Sequence, residues 1–167
     1  LVGSEMCIRD RSKNAEQKIT EYLESMEGLY YQLILVVGQS GTGKTNLLQN
    51  IARKFNKSLI NINLTISKEY MELTKKQRKL EVAKTLDKIV GQSDGTILLD
   101  NIEILFDTDL EQNPLRLLQG LARKRKVVAS WGGMYKDGKI SYAEPWHNEY
   151  QKYDAKDILI VDLNTNT

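Results

Sequence analysis

The chain has 167 residues, 41% of them hydrophobic and 28% charged, and this size and balance predict one globular domain with a substantial core. Its 24 basic and 22 acidic residues give a net charge of +2, which excludes an overall electrostatic drive toward nucleic acid or membranes. No apolar run approaches the roughly 20 residues that span a bilayer, and the start lacks a long signal-peptide stretch, so we expect a cytoplasmic protein with no membrane partner.

The first eleven residues resemble the translated end of a transposase sequencing adapter. We therefore expect residues 1–11 to be a sequencing artefact and residues 12–167 to form a single domain. Setting the segment aside also removes Cys7, the only cysteine in the sequence. Disulfides, thiol catalysis and cysteine metal sites are then excluded.

The first predicted elements are a helix and a strand. Apolar residues recur at helical spacing from Ile19 to Met26, and Gly28 is expected to end this helix. The apolar run at residues 33–37 then predicts a buried strand.

The octapeptide after this strand fits the phosphate-binding P-loop pattern G-x-x-x-x-G-K-[ST]: Gly38, Gln39, Ser40, Gly41, Thr42, Gly43, Lys44 and Thr45. Its glycines let the backbone bend so that successive N–H groups point at an anion, and the next helix adds its positive N-terminal end. We expect Lys44 to reach the β- and γ-phosphates and Thr45 to bind Mg²⁺. The motif predicts a site for ATP or ADP with Mg²⁺, formed by all eight residues.

Further helices and strands alternate after the P-loop. Residues 59–63 predict an edge strand. Residues 67–90 predict a short helix followed by a longer one, and a capping box at Thr74 marks the start of the longer helix. The pair Asp94-Gly95 predicts a turn into a short buried strand at residues 96–99.

Asp100 comes directly after that strand, where a P-loop protein needs a carboxylate for its magnesium. A turn-capping Asp is the alternative interpretation. Hydrolysis also needs a group that activates water, and AAA+ ATPases commonly carry a Glu directly after the Asp. Here Asn101 stands in that place, and an amide can orient a water but cannot accept its proton. Glu103 could act instead only if the turn swings it inward, so we expect binding with at most weak or partner-stimulated hydrolysis.

The last third of the chain predicts a helix that Asn113 caps, a strand at residues 127–131, and a final strand at residues 158–161. Ser130 stands where AAA+ folds place a residue that senses the γ-phosphate, although a buried serine bonded to backbone explains it as well. The pair Asp137-Gly138 predicts a two-stranded hairpin over residues 134–142.

Strands that alternate with helices predict an α/β chain of the P-loop NTPase fold, with an AAA+-like ASCE core. We expect a five-stranded parallel sheet flanked by helices, a small β-hairpin flap, and no helical lid within these 167 residues. An uncovered nucleotide would favour a partner subunit or a second copy of the chain as its cover.

Four segments carry a resemblance to a known family: residues 33–45, 96–103, 113–119 and 142–150. Together they resemble BrxF, the small P-loop proteins of BREX bacteriophage-exclusion systems. The stretch Tyr142-Ala143-Glu144-Pro145 is the most particular part, because a generic ATPase has no use for it. The resemblance implies a component of an antiviral defence machine that methylates host DNA and blocks phage replication, with other BREX proteins as partners.

Three functions stay open at this point. The first is an ATP-binding assembly switch whose hairpin and segment 144–150 present a surface to defence partners. The second is a DNA-contacting adaptor that uses the basic clusters at residues 75–79 and 123–126, although cations at a helix end explain the second cluster more simply. The third is a small-molecule kinase, which would need an Arg-rich lid that the sequence after Trp131 does not show.

Overall fold

The computed structural model describes residues 2–93 and 95–164, with side chains from residue 13 onward. The helices are α1 (Val2–Ser25), α2 (Lys44–Phe55), α3 (Ile62–Tyr70), α4 (Lys75–Gly91) and α5 (Pro114–Leu121), with short 3-10 helices at Glu103–Phe106 and Thr108–Leu110. The strands are β1 (Leu33–Gly38), β2 (Leu59–Asn61), β3 (Ile97–Asp100), β4 (Val127–Lys136), β5 (Lys139–Tyr142), β6 (Gln151–Asp154) and β7 (Leu159–Asp162). No helix within the described residues is long and apolar enough to cross a membrane.

The centre of the molecule is a parallel sheet with the strand order β2-β3-β4-β1-β7. Every residue of β1 and β3 is buried, because helices cover both faces of the sheet. The predicted five-stranded parallel sheet and the P-loop NTPase fold are therefore confirmed. Parallel strands end at one edge, and this edge gathers the P-loop after β1 and Asp100 at the end of β3.

Hydrophobic residues pack on the two faces as separate clusters. The smaller cluster lies under α1 and α2 and includes Ile19, Leu48 and Val128. The larger one lies under α3, α4 and α5 and continues into an aromatic group of Phe106, Trp131 and Tyr142. The rings of Phe106 and Tyr142 stack with centroids 3.5 Å apart, so the end of β5 is anchored to the core.

The hairpin prediction was incomplete. In place of a strand ending at Trp131 and a separate two-stranded hairpin, β4 continues to Lys136 and pairs with β5, which pairs antiparallel with β6. We call residues 133–154 the flap. The predicted turn is confirmed, since Asp137 and Gly138 both have positive φ, as a two-residue hairpin turn requires. The strand β6 escaped prediction because its residues are polar and exposed except for half-buried Tyr153.

Two smaller predictions also change. The edge strand ends at Asn61 rather than residue 63, because the Asn61 side chain accepts a hydrogen bond from Leu64 N at 3.0 Å and caps α3. The longer helix begins as predicted, with the complete capping box of Thr74 and Gln77. The predicted Asp94-Gly95 turn includes Asp94, which lies outside the described residues.

Candidate functional site

The P-loop joins β1 to α2, and its backbone is shaped for an anion. Gly43 is the N-cap of α2 with φ of 89°, a left-handed conformation that glycine adopts without steric cost. Gly43 has no side chain that could accept a hydrogen bond from the first amides of α2. These amides therefore remain uncapped at the positive end of the helix dipole. The loop therefore presents main-chain donors to the space beyond the end of β1.

Lys44 is the cation of this loop. Its Nζ donates hydrogen bonds to Gly38 O at 2.7 Å and to Gln39 O at 3.0 Å. Burial lowers the pKa of Lys44 below its usual 10.5, and the nearby carboxylates of Glu103 and Asp100 oppose this shift. The ammonium thus rests on two carbonyls of its own loop, with carboxylates close by.

Thr45 and Asp100 meet at the bottom of the site. The Thr45 hydroxyl donates to Asp100 Oδ2 at 2.7 Å, and Asp100 is a buried carboxylate, 5% exposed, at the last position of β3. Hydroxyl and carboxylate oxygens are the hard ligands that Mg²⁺ prefers. These two side chains fit a magnesium-nucleotide complex, with a lysine and free helix amides beside them for the phosphates.

Asn101 turns the chain sharply after β3, with φ of 51° in the left-handed region. Its carbonyl accepts a hydrogen bond from Asn63 N at 2.9 Å, and the 3-10 helix that starts at Glu103 follows. The turn swings Glu103 inward, so that both Asn101 and Glu103 line the same cavity as Lys44. Glu103 Oε2 is buried and has no hydrogen-bond partner among the described residues. A buried, unpartnered carboxylate oxygen in this place can accept a proton from a bound molecule.

Ser130 lies in β4, one step beyond Ala129, which pairs with Leu99 of β3. This register places Ser130 next to Asp100 on the sheet. Its side chain is 2% exposed and does not line the cavity. Its assignment as a γ-phosphate sensor stays a prediction.

A cavity of about 720 Å³ lies over these groups, within the usual range for a small-molecule site. One wall is the P-loop and the end of β3, as the sequence predicted. The opposite wall was not predicted from the sequence. It belongs to the flap and the residue before it: Gly132, Gly133, Met134, Tyr142, Ala143 and Glu144. The unusual Tyr-Ala-Glu-Pro stretch is the sequence signal that marks this wall, whereas the sequence alone predicts a surface for partners over the hairpin and residues 144–150.

The flap wall is polar at two positions. Glu144 Oε1 accepts a hydrogen bond from Gln39 Nε2 at 3.4 Å, which links the flap to the P-loop. Burial raises the pKa of the Tyr142 phenol to about 12, with smaller contributions from Glu103 and Glu149. Tyr142 therefore stays protonated at neutral pH.

Residues 34–126, more than half of the chain, match the family described as ATPase family associated with various cellular activities (AAA). The chain belongs to the AAA family. The match includes the P-loop, Asp100 and Glu103, whereas the flap and β7 lie beyond it. Membership in the AAA family implies nucleotide binding, typically with Mg²⁺.

One solved structure similar to this AAA domain is PCH-2 from C. elegans, with 15% sequence identity and a TM-score of 0.42. The similarity covers 93% of this chain and 42% of the PCH-2 chain, so this AAA domain spans less than half the length of that protein. No curated protein matches the sequence.

Proposed function

We propose that this AAA domain binds ATP with Mg²⁺ and acts as a nucleotide-dependent assembly or regulatory component of a BREX anti-phage system. The observation that carries the first half is the convergence of Lys44, the Thr45–Asp100 pair and Glu103 on one cavity. The second half rests on the resemblance to BrxF, above all in the stretch of residues 142–145, of which residues 142–144 line the cavity.

Different residues are proposed to bind the phosphates and the metal. The amides of residues 43–45 and the Lys44 ammonium would hold phosphate oxygens, while Thr45 and Asp100 would hold the metal. When bound, ATP supplies a γ-phosphate whose presence or loss distinguishes two states of the protein. Glu103 is placed to accept a proton from a water and Asn101 to orient one, so slow or partner-stimulated hydrolysis accompanies binding.

The flap supplies the surface for partners. Trp146 is 82% exposed, and Tyr135 on β4 is also exposed, while Met134 and Glu144 on the same flap line the cavity. One face of the flap is therefore open to other proteins and another faces the nucleotide site. A ligand changes such a surface only by binding one conformation of the flap better than another.

The DNA-adaptor alternative has less support from the contacts. In the basic cluster at residues 123–126, Arg125 Nη1 donates to Val90 O at 2.9 Å and Lys126 Nζ donates to Leu23 O at 2.7 Å. Both side chains cap the C-terminal ends of helices by donating to their last carbonyls, which favours a structural role. DNA contact, if any, then comes through other defence proteins.

Titration calorimetry with Mg²⁺ and ATP tests the binding site. We expect the wild type to bind and Lys44→Ala to lose at least about tenfold in affinity, because charge-assisted phosphate contacts are strong. Lys124→Ala removes the same charge at an exposed position and serves as the control. Equal affinity of wild type and Lys44→Ala would refute the assignment.

The BREX role needs a test in cells. Phage plating is measured on cells that carry the BREX genes with the wild-type chain, with Lys44→Ala, or without the chain. Protection that depends on the chain and on Lys44 supports the proposal. Full protection without the chain contradicts it.

A further inference from the structure

Gln39 contacts three different parts of the molecule at once. Its N–H donates to Asn164 Oδ1 at 2.9 Å, just after β7, and its side-chain Nε2 donates to Glu144 Oε1 at 3.4 Å, on the flap. Its carbonyl accepts the Lys44 ammonium at 3.0 Å. Gln39 therefore helps Gly38 to hold the lysine in its resting position and also contacts the flap.

Asn164 completes this connection. While its Oδ1 takes the Gln39 amide, its Nδ2 donates to Gly133 O at 2.8 Å, at the first residue of the flap. Its own N–H donates to Asp162 Oδ1 at 2.9 Å, which fixes Asn164 to the end of β7. One side chain thus bridges the P-loop and the flap. We call Gln39, Glu144, Asn164 and Gly133 O the latch.

The P-loop pattern does not explain the latch. Position 39 accepts any residue in G-x-x-x-x-G-K-[ST], and Glu144 and Asn164 lie beyond the AAA match at residues 34–126. Neither the P-loop pattern nor the AAA match therefore accounts for the latch.

Two physical effects make the latch sensitive to an anion in the cavity. If Lys44 moves to a phosphate, the Gly38 carbonyl loses a charge-assisted hydrogen bond, and the peptide between Gly38 and Gln39, whose N–H holds Asn164, is freed to shift. In addition, Glu144 lines the cavity, so its carboxylate is repelled by a triphosphate there. Both effects weaken the contacts between the flap and the P-loop.

We propose that Gln39 and Asn164 are positioning residues that hold the flap against the P-loop, and that ATP binding opens this latch. The inference rests on the proposed binding of ATP and names how that binding is transmitted to the flap. Linkage makes the coupling reciprocal, so a variant with a broken latch must bind the nucleotide more tightly by the same factor.

The first experiment measures hydrogen–deuterium exchange in the wild type with and without saturating Mg²⁺ and ATP. Exchange of the amides that pair β5 with β6 is expected to rise several-fold on binding. In Asn164→Ala these amides are expected to exchange faster already without nucleotide, and ATP is expected to add little. Asn148→Ala makes the same change at an exposed flap position outside the latch and should behave like the wild type.

The second experiment measures the affinity for Mg²⁺ and ATP by calorimetry. Asn164→Ala is expected to bind roughly tenfold more tightly than the wild type, a size typical of coupling between sites. A merely structural role for Asn164 would weaken binding instead. Glu144→Gln keeps the amide-to-oxygen contact but removes the charge, so it provides a second, milder variant that should also tighten binding.

The outcomes separate the two proposals. If the wild type gives no binding heat, the proposed function fails and the coupling fails with it. If the wild type binds but flap exchange does not change, or if folded Asn164→Ala and Glu144→Gln bind more weakly, the latch proposal alone is overturned.

Discussion

The hydroxyl of Thr45 donates a 2.7 Å hydrogen bond to Asp100 Oδ2, and this contact joins the first turn of α2 to the end of β3 across 55 positions of sequence. It fixes the two oxygen ligands expected for magnesium in one place before any metal binds. It also gives a buried carboxylate oxygen a hydrogen-bond donor, which such a group requires.

Replacing Thr45 tests the metal ligands. In Thr45→Ala we expect ATP affinity to depend less on Mg²⁺, because the hydroxyl ligand is gone and Asp100 remains. The free energy of unfolding should also fall by about 1–3 kcal/mol, since Asp100 keeps a buried oxygen without its donor. Thr45→Ser retains the hydroxyl and should preserve both properties. Calorimetry with and without Mg²⁺, together with urea unfolding, checks the two effects.

Replacing Glu103 separates binding from hydrolysis. The variant Glu103→Gln keeps the size of the side chain but cannot accept a proton, so turnover should fall roughly 100-fold or more while ATP affinity stays close to that of the wild type. Asn101→Ala is expected to have a smaller effect, because an orienting amide contributes less than a base. Phosphate-release assays with partner proteins present make the comparison. Equal turnover of Glu103→Gln and wild type would exclude Glu103 as the base.

Gly133 permits the close approach of β4 and β5. A Cβ atom there would lie 1.8 Å from Ser141 O, so Gly133→Ala should cost about 1–3 kcal/mol and displace the flap. Gly120, in α5, has open space around its Cβ position, and Gly120→Ala should leave stability unchanged or raise it by about 0.5–1 kcal/mol. Thermal unfolding of the two variants gives the test. Similar melting temperatures would contradict the assigned geometry.

Two buried tyrosines predict a loss of stability at high pH. Burial raises the pKa of Tyr70 and of Tyr142 to about 12, whereas an unfolded tyrosine titrates near 10.0. Below pH 10 both states keep these protons, so the two tyrosines add no pH dependence to the stability. Between about pH 10 and 12 the unfolded state binds fewer protons, so the free energy of unfolding falls as pH rises. In Tyr142→Phe this fall should be shallower, as urea unfolding across the pH range would show.

Local sequence patterns predicted most of the fold and one wall of the cavity, formed by the P-loop and the end of β3. The P-loop and Asp100 follow apolar strands directly, and parallel strands end at one edge, so their convergence required no knowledge of packing. Glu103 was predicted only conditionally, because its position depends on the left-handed turn at Asn101, which asparagine tolerates but does not enforce.

The flap wall could not be predicted because it depends on contacts between distant residues. Gln39 and Glu144 meet across 105 positions of sequence, and no local pattern specifies such a pair. The extension of β4 depends on Gly133, whose missing side chain allows the approach of Ser141 O. A pair of glycines after a strand is an ordinary loop signal, which favours an end of the strand over its continuation.

The strand β4 belongs to two sheets, since its first residues pair with β1 and β3 and its last residues pair with β5. Side chains alternate between the two faces along a strand. The deletion or insertion of one residue in the middle of β4 would therefore move every later side chain of the strand to the opposite face. Side chains that now belong to the aromatic group or to the cavity wall would then face solvent, and side chains that now face solvent would take their places. Homologous chains should therefore vary in length at the hairpin tip or in the segment before β6, and keep the ten positions of β4 constant in number.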